Sequence, residues 1–127
     1  MLGCAAAAPA DPPGLSPFVG SWVGKRESVD IDTHGHGRFH YADMTACKSC
    51  SMADMPYADM DFALTSVSGD TATGSVTADT HDRTGKPVVM VLKPASADGA
   101  PQTISWTVGG LDEGLFCPAS DGRWCGY

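Results

Sequence analysis

Apolar and polar residues alternate along most of the chain, and a two-residue period is typical of half-buried β-strands. Val29 and Ile31 alternate with aspartates, and Phe39 and Tyr41 resume the pattern after an interruption. The interruption, residues 33–37, is rich in glycine and histidine, which favour a turn. These residues therefore predict a β-hairpin.

A second hairpin is predicted further along the chain. Phe62 and Leu64 begin an alternating segment, and the alternation returns over residues 72–78. Gly69-Asp70, which lies between the two segments, is a turn sequence.

Three more segments complete the predicted sheet. Residues 88–92 form a continuous apolar run, which we expect to be a strand covered on both faces or crossing the centre of the core. Residues 103–108 show the clearest alternation of the chain, after a loop at 95–102, and Leu115-Phe116 suggests a last strand. The sequence thus predicts an all-β fold, an antiparallel meander of six to seven strands that forms a small barrel or sandwich.

Residues 43–60 break the pattern, because they follow neither a strand period nor a helix period. An irregular loop of this length inside a compact domain is usually functional or mobile. We expect this loop, together with the mouth of the barrel, to be the contact surface of the protein.

Composition and charge argue against two classes of function, nucleic-acid binding and catalysis. Leu, Ile, Val and Phe make up only 21 of 127 residues, so aromatic residues and cysteines must contribute to stability. With a net charge of −7 and no basic run longer than Lys25-Arg26, the chain lacks the electrostatic footprint of a nucleic-acid-binding protein. It also contains no G-x-S-x-G nucleophile motif and no phosphate-binding glycine loop, so we expect neither enzymatic activity nor a cofactor.

The first residues resemble a signal for export and lipid attachment. Leu2-Gly3-Cys4 resembles the end of a bacterial lipobox, in which the cysteine becomes the lipidated N-terminus, although only three residues precede Cys4. We therefore expect either an upstream signal segment in the native gene or a shortened N-terminus. Residues 1–17, which contain an Ala/Pro tract, are predicted to be a disordered tether, and residues 18–127 a single β domain. The expected location is extracytoplasmic, either anchored to the membrane through lipid on Cys4 or secreted.

The remaining four cysteines form an even set, which suits an oxidising compartment. We expect the local disulfides Cys47–Cys50 and Cys117–Cys125. The C-x-x-C sequence is also found in redox dithiols and zinc sites, but no helix pattern follows Cys50, and the second pair is separated by seven residues.

Histidines and methionines offer an alternative, a copper site, although solvent-exposed turn histidines are the favoured interpretation and no metal is assigned. Imidazole and thioether ligands select copper. In an unbroken strand, four of these side chains would project from one face, opposite Phe39 and Tyr41. The four are His34, His36, His40 and Met44, and Met52, Met55 and Met60 lie nearby.

Short blocks of sequence suggest two resemblances. Phe18-Val19-Gly20-Ser21-Trp22, Val29-Asp30-Ile31 with Gly35-His36-Gly37, and Leu115-Phe116-Cys117 with Cys125-Gly126 are similar to small secreted proteins and lipoproteins of mycobacteria and related actinobacteria. Most of those proteins are of unknown function, so the resemblance implies no catalytic residue. Gly20-Ser21-Trp22 is also similar to the Gly-x-Trp of the first lipocalin strand, where the tryptophan closes one end of the barrel.

The sequence thus predicts a non-catalytic, lipid-anchored binding module of the cell envelope with an unknown ligand or protein partner. The alternatives are the copper binder and a lipocalin-like carrier of a small ligand.

Overall fold

The computed structural model describes residues 11–125, apart from the side chain of Met52. Eight antiparallel strands, each bonded to the next along the chain, form a barrel that closes between the first and the last strand. The strands are β1 (Gly20–Gly24), β2 (Glu27–Ile31), β3 (His36–Ala42), β4 (Tyr57–Ser68), β5 (Thr71–Asp79), β6 (Pro87–Lys93), β7 (Thr103–Val108) and β8 (Leu111–Pro118). Three 3-10 helices are also present: η1 (Ser16–Phe18), η2 (Met52–Asp54) and η3 (Ala119–Cys125).

The up-and-down order gives the barrel two different ends. One end, called the covered end here, carries η1, the turns at 32–35 and 69–70, the loop at 94–102 and η3. The other end carries the turns at 25–26 and 109–110 and the loops at 43–56 and 80–86. Because charged side chains turn inward there, it is called the charged end.

Inward-facing aromatic side chains fill the middle of the barrel. Trp106 is 1% exposed, and its ring centroid lies 4.8 Å from that of Phe39, 5.6 Å from Phe62 and 5.9 Å from Phe116. The indole N–H of Trp106 has no hydrogen-bond partner among the described residues. Gly37 lies so close to the Phe62 ring that any larger residue would overlap it.

The covered end is closed from within the chain. Phe18 of η1 is fully buried, and its carbonyl accepts a hydrogen bond of 3.0 Å from the Trp22 indole N–H. Leu15, only 4% exposed, belongs to the same core. The packed part of the chain therefore includes Leu15, three residues before the boundary at Phe18 that composition suggests.

Both hairpins predicted from the alternation are present. Val29 pairs with Phe39 in the first, and Phe62 pairs with Val76 in the second. The predicted all-β, antiparallel class is confirmed, with eight strands in a closed barrel instead of six to seven. The additional strand is β1, which holds only two large apolar residues between glycines and therefore shows little alternation.

The apolar run at 88–92 is a strand, and of the two arrangements expected for it, coverage on both faces is wrong. Val88 and Met90 are fully buried, whereas Val91 is 42% exposed on the outside of the barrel. In a closed barrel only one face of each strand reaches the core. The exposed valine is therefore part of the protein surface.

Candidate functional site

At the charged end, inward-facing positions hold polar side chains, whereas in the rest of the barrel they hold apolar ones. Glu27 and Tyr41 lie on the inward-facing sides of β2 and β3, directly paired across the two strands. Asp79 ends β5, and Arg83 follows it in the loop at 80–86. Glu113 of β8 completes the group, because its carboxylate lies 3.9 Å from the Arg83 guanidinium.

Asp79 and Arg83 form the centre of this cluster. The Asp79 side chain has no exposed surface, while that of Arg83 is 24% exposed. Arg83 donates two hydrogen bonds to the carboxylate, from Nε to Oδ2 at 2.7 Å and from Nη2 to Oδ1 at 3.2 Å. Burial alone would raise the pKa of Asp79, but the hydrogen bonds and charge of Arg83 outweigh it and hold the pKa below its ordinary value. Asp79 is therefore ionised at neutral pH.

Arg83 also contacts Tyr41. Its Nη2 donates a hydrogen bond of 3.0 Å to the Tyr41 hydroxyl oxygen, and its guanidinium carbon lies 5.2 Å from the centroid of the tyrosine ring. Burial raises the pKa of Tyr41, so the phenol stays neutral. One arginine thus links the inner wall of the barrel to the loop at 80–86.

The two glutamates of the cluster, Glu27 and Glu113, have too little positive charge nearby to offset the effect of burial on their pKa. Burial, reinforced by the charge of Glu113, raises the pKa of Glu27 from 4.5 to about 7. Burial also raises the pKa of Glu113, although the positive charge of Arg83 opposes the shift. A carboxyl group whose pKa lies near neutrality can gain or lose a proton under ordinary conditions, so the charge at this end of the barrel varies with pH.

β-Bulges turn two of these acids, Asp79 and Glu113, toward the inside of the barrel. In the β4–β5 pairing the register shifts between Asp61 and Phe62, so Thr77 is an extra residue and the direction of the following side chains is reversed. Asp79 consequently points inward. A register shift beside Trp106 in the β7–β8 pairing makes Glu113 the extra residue of its strand. Bulges at a barrel rim commonly redirect side chains in this way.

The irregular loop predicted at 43–60 is shorter in the structure, because β4 begins at Tyr57, and the loop at 43–56 is attached to the same end. The Asp43 side chain, 8% exposed, accepts a hydrogen bond of 2.8 Å from His81 Nε2. It also accepts hydrogen bonds from the amide and the hydroxyl of Thr45, and the hydroxyl bond is the main reason why the pKa of Asp43 is lowered. The Cys47–Cys50 disulfide closes the middle of the loop. Asp43 therefore connects the predicted contact loop to the loop that carries Arg83.

The histidines proposed as copper ligands have separate carboxylate partners. His36 and His40 lie on the outer face of β3, as the alternation predicts, whereas His34 lies in the turn before the strand. The Nδ1 atoms of His34, His36 and His40 lie 3.0, 3.7 and 2.7 Å from Asp11, Asp32 and Asp59, respectively.

The methionines proposed with them do not share one surface. Met60 is fully buried inside the barrel and Met55 is 9% exposed, whereas Met44 is 55% exposed beyond the end of β3. The Met52 side chain lies outside the described atoms. Among residues 11–125, no group of three or more His, Cys, Asp or Glu side chains is arranged to hold a metal ion. The structure does not bring the predicted histidine and methionine ligands together.

The cysteine pairs are the two local ones predicted from the sequence. Cys47 is bonded to Cys50, and Cys117 to Cys125, with Cα–Cα distances of 5.5 and 5.7 Å. The second disulfide holds η3 against β8 at the covered end. Cys4 lies outside the described residues. Within residues 11–125 no helix has the length and hydrophobicity needed to span a bilayer.

Sequence reasoning predicted the loop and the barrel mouth as the contact surface, and it singled out none of the five residues of the charged cluster as part of a site. Glu27 could have been found, since it shares the inward parity of Val29 and Ile31 and is therefore a charged residue at a core position. Asp79 and Glu113 could not, because the bulges that turn them inward have no clear signal in the sequence.

No protein-family model, curated protein or solved structure matches this chain. A proposal of function must therefore start from the residues themselves and their geometry.

Proposed function

We propose that this protein is a non-catalytic, extracytoplasmic β domain, anchored to the cell membrane by lipid on Cys4, that binds a component of the cell envelope at its charged end. The anchor is supported by Leu2-Gly3-Cys4 and by the Ala/Pro tract that follows it. The compartment is supported by the two disulfides, which are typical of oxidising environments. The similarity of several sequence blocks to secreted proteins and lipoproteins of actinobacteria agrees with the same location.

The observation that carries the binding role is the charged cluster itself. A closed barrel of this size can be filled with apolar side chains, as the covered end is, yet here two β-bulges turn acids inward and Glu27 has its pKa raised to about 7. Such groups destabilise the fold, and proteins concentrate unfavourable local features of this kind at functional sites. The exposed apolar residues Met44 and Leu111 lie at the same end and enlarge the surface available to a partner.

Affinity capture from envelope extract with matched variants tests this proposal. In the test variant, the two exposed apolar residues of the charged end are replaced, as Met44→Ser/Leu111→Ser. In the control, Leu115→Ser, a half-exposed residue on the outer face of β8 is replaced. We expect the test variant to capture at least about fivefold less partner than the unmodified protein, because burial of apolar surface is the main favourable term in most protein–protein association, and the control to capture as much as the unmodified protein. Equal capture by both variants contradicts a binding surface at the charged end.

A carrier of lipocalin type is the second candidate. It is supported by the closed eight-stranded barrel and by Gly20-Ser21-Trp22, which lies on β1 directly after η1, with Trp22 buried at the covered end. The aromatic cluster around Trp106 leaves less room for a ligand than an open calyx would. Native mass spectrometry of protein purified from its own cells distinguishes the two, because a carrier retains a co-purified small molecule and a surface-binding module does not.

Copper binding is the third candidate and rests on the sequence pattern alone. Titration calorimetry with Cu(I) and Cu(II) tests it directly. Because the structure does not bring the histidine and methionine side chains together among residues 11–125, we expect weak binding or none. A stoichiometric, high-affinity isotherm would favour the copper binder instead.

A further inference from the structure

The outside of the barrel near the covered end has an exposed apolar patch. Val91 of β6 and Leu115 of β8 are both paired with Ser105 of β7, so the two side chains flank it on the outer face. They are 42% and 50% exposed. Trp124 of η3 is 47% exposed and lines a cleft of about 390 Å³ together with Leu115, Pro94 and Pro101. Val91, Leu115 and Trp124 are called the side patch.

The chemistry next to the side patch suits a phospholipid surface. Tryptophan is enriched at membrane–water interfaces, where its ring lies at the level of the headgroups. Two cations belong to the same region: Lys93 lines the cleft, and Arg123 precedes Trp124 in the sequence. Asp98 also lines the cleft, and the hydrogen bond from the Ser96 hydroxyl lowers its pKa, so its negative charge partly offsets that of Lys93. Apolar side chains with neighbouring cations are the usual combination at the surface of anionic bilayers.

The N-terminal part of the chain reaches the barrel at the same end. Asp11 is paired with His34 in the turn between β2 and β3, and Leu15 is packed into the covered end. Six residues separate Cys4 from Asp11, and the seven Cα–Cα steps between them span at most about 25 Å. This step rests on the proposed lipid on Cys4: if Cys4 is anchored, the covered end lies within that distance of the bilayer.

We propose that the side patch rests on the surface of the phospholipid bilayer to which the chain is tethered, so that the wall of the barrel contacts the membrane and the charged end does not. Three apolar side chains and two cations bind only weakly by themselves, and the net charge of −7 opposes association with anionic lipid. The tether compensates for this weakness by raising the effective concentration of the patch at the surface. The same orientation leaves Met44 and Leu111 accessible to an envelope partner.

Quenching of tryptophan by brominated lipid tests this orientation. Cys4 is the one cysteine outside the two disulfides, so it can be coupled to a maleimide lipid in vesicles that contain phosphatidylglycerol. Trp22 and Trp106 are 4% and 1% exposed, so Trp124 is the tryptophan able to contact lipid. The Trp124→Phe variant gives the signal of the two buried rings, which is subtracted.

A relocated tryptophan provides the matched control. Leu111→Trp in the Trp124→Phe background moves the exposed indole to the charged end, where Leu111 is 72% exposed. We expect brominated chains to reduce the Trp124 signal about twofold relative to ordinary lipid, because an interfacial indole contacts the upper part of the acyl chains. The residue-111 tryptophan should be unaffected, and Leu115→Ser should weaken the quenching of Trp124.

Two results would overturn the proposal: a Trp124 signal that brominated lipid leaves unchanged, or equal quenching of the tryptophan at residue 111. Because the tether is made chemically, neither result depends on whether the cell lipidates Cys4. Conversely, an unmodified Cys4 in protein from native cells would refute the anchor without changing the quenching result. Failure of the orientation and failure of the proposed function are thus separable.

Discussion

Replacement of Arg83 with glutamine removes the positive charge beside a carboxylate that has no exposed surface. Asp79 then keeps its charge at neutral pH but loses two hydrogen bonds from the guanidinium. Removal of one partner from a fully buried ion pair costs about 3–5 kcal/mol, and here we expect about 2–4 kcal/mol at pH 7, because Arg83 is a quarter exposed and water can partly replace it. For a domain of this size, that corresponds to a fall in Tm on the order of 10 °C.

The pH dependence of this loss identifies its cause. Without Arg83, burial dominates and raises the pKa of Asp79 in the folded state above its value in the unfolded chain. A raised folded-state pKa means that the folded protein binds a proton more readily, so the destabilisation should shrink as the pH falls from 7 to 5. The double variant Arg83→Gln/Asp79→Asn should recover about 1–2 kcal/mol at pH 7, because it no longer buries an unpaired charge.

Urea unfolding at pH 7 and pH 5, followed by circular dichroism with both disulfides intact, measures these differences. The Arg83→Gln single variant, the double variant and the unmodified protein are compared under identical conditions. An Arg83→Gln protein within about 0.5 kcal/mol of the unmodified one at both pH values would refute the reasoning, since that is the effect of an ordinary surface substitution. So would a double variant no more stable than the single one.

Further predictions concern the other parts of the fold. Because the pKa of Glu27 is raised from 4.5 to about 7, the unmodified protein should lose stability as pH rises through that window, whereas Glu27→Gln should be flatter and about 1 kcal/mol more stable at pH 7.5 in urea unfolding. Gly37→Ala should lower the free energy of unfolding by about 1–3 kcal/mol, because its methyl group would overlap the Phe62 ring, and Phe62→Leu in the same chain should restore part of it. Loss of the Cys117–Cys125 disulfide, which spans eight residues, should cost about 2–3 kcal/mol by the same assay. For each of the three variants, a free energy of unfolding equal to that of the unmodified protein would contradict the contact on which the prediction rests.

Regular strands could be predicted from the sequence, because one face of each is buried and the alternation is therefore preserved. The pairing of Val29 with Phe39 and of Phe62 with Val76 follows directly from that alternation and from the turn residues between them. The alternation of apolar and polar residues is not visible in β1, because glycines occupy two of its inward positions, Gly20 and Gly24. Barrel closure by pairing of β1 with β8 is a long-range contact, for which local patterns carry no information.

The site was less predictable for a related physical reason. A β-bulge reverses the direction of every later side chain in its strand, so Asp79 and Glu113 would be placed on the outside by simple parity. The continuous apolar run at 88–92 misled in the opposite direction. Its apolar character suggested burial on both faces, but Val91 is exposed in the side patch. An apolar residue at a surface position is common and is no guide to the core. The local disulfides were predictable because the turn sequences between their cysteines bring the two ends together.

The intact mass of the protein extracted from the membranes of its own cells tests the central claim, the lipid anchor on Cys4, most directly. The account predicts a chain that begins at Cys4, carries diacylglycerol or a triacyl addition on that residue, and partitions with the membrane fraction. Unmodified protein recovered from the soluble fraction, with residues before Cys4 still attached, would contradict it.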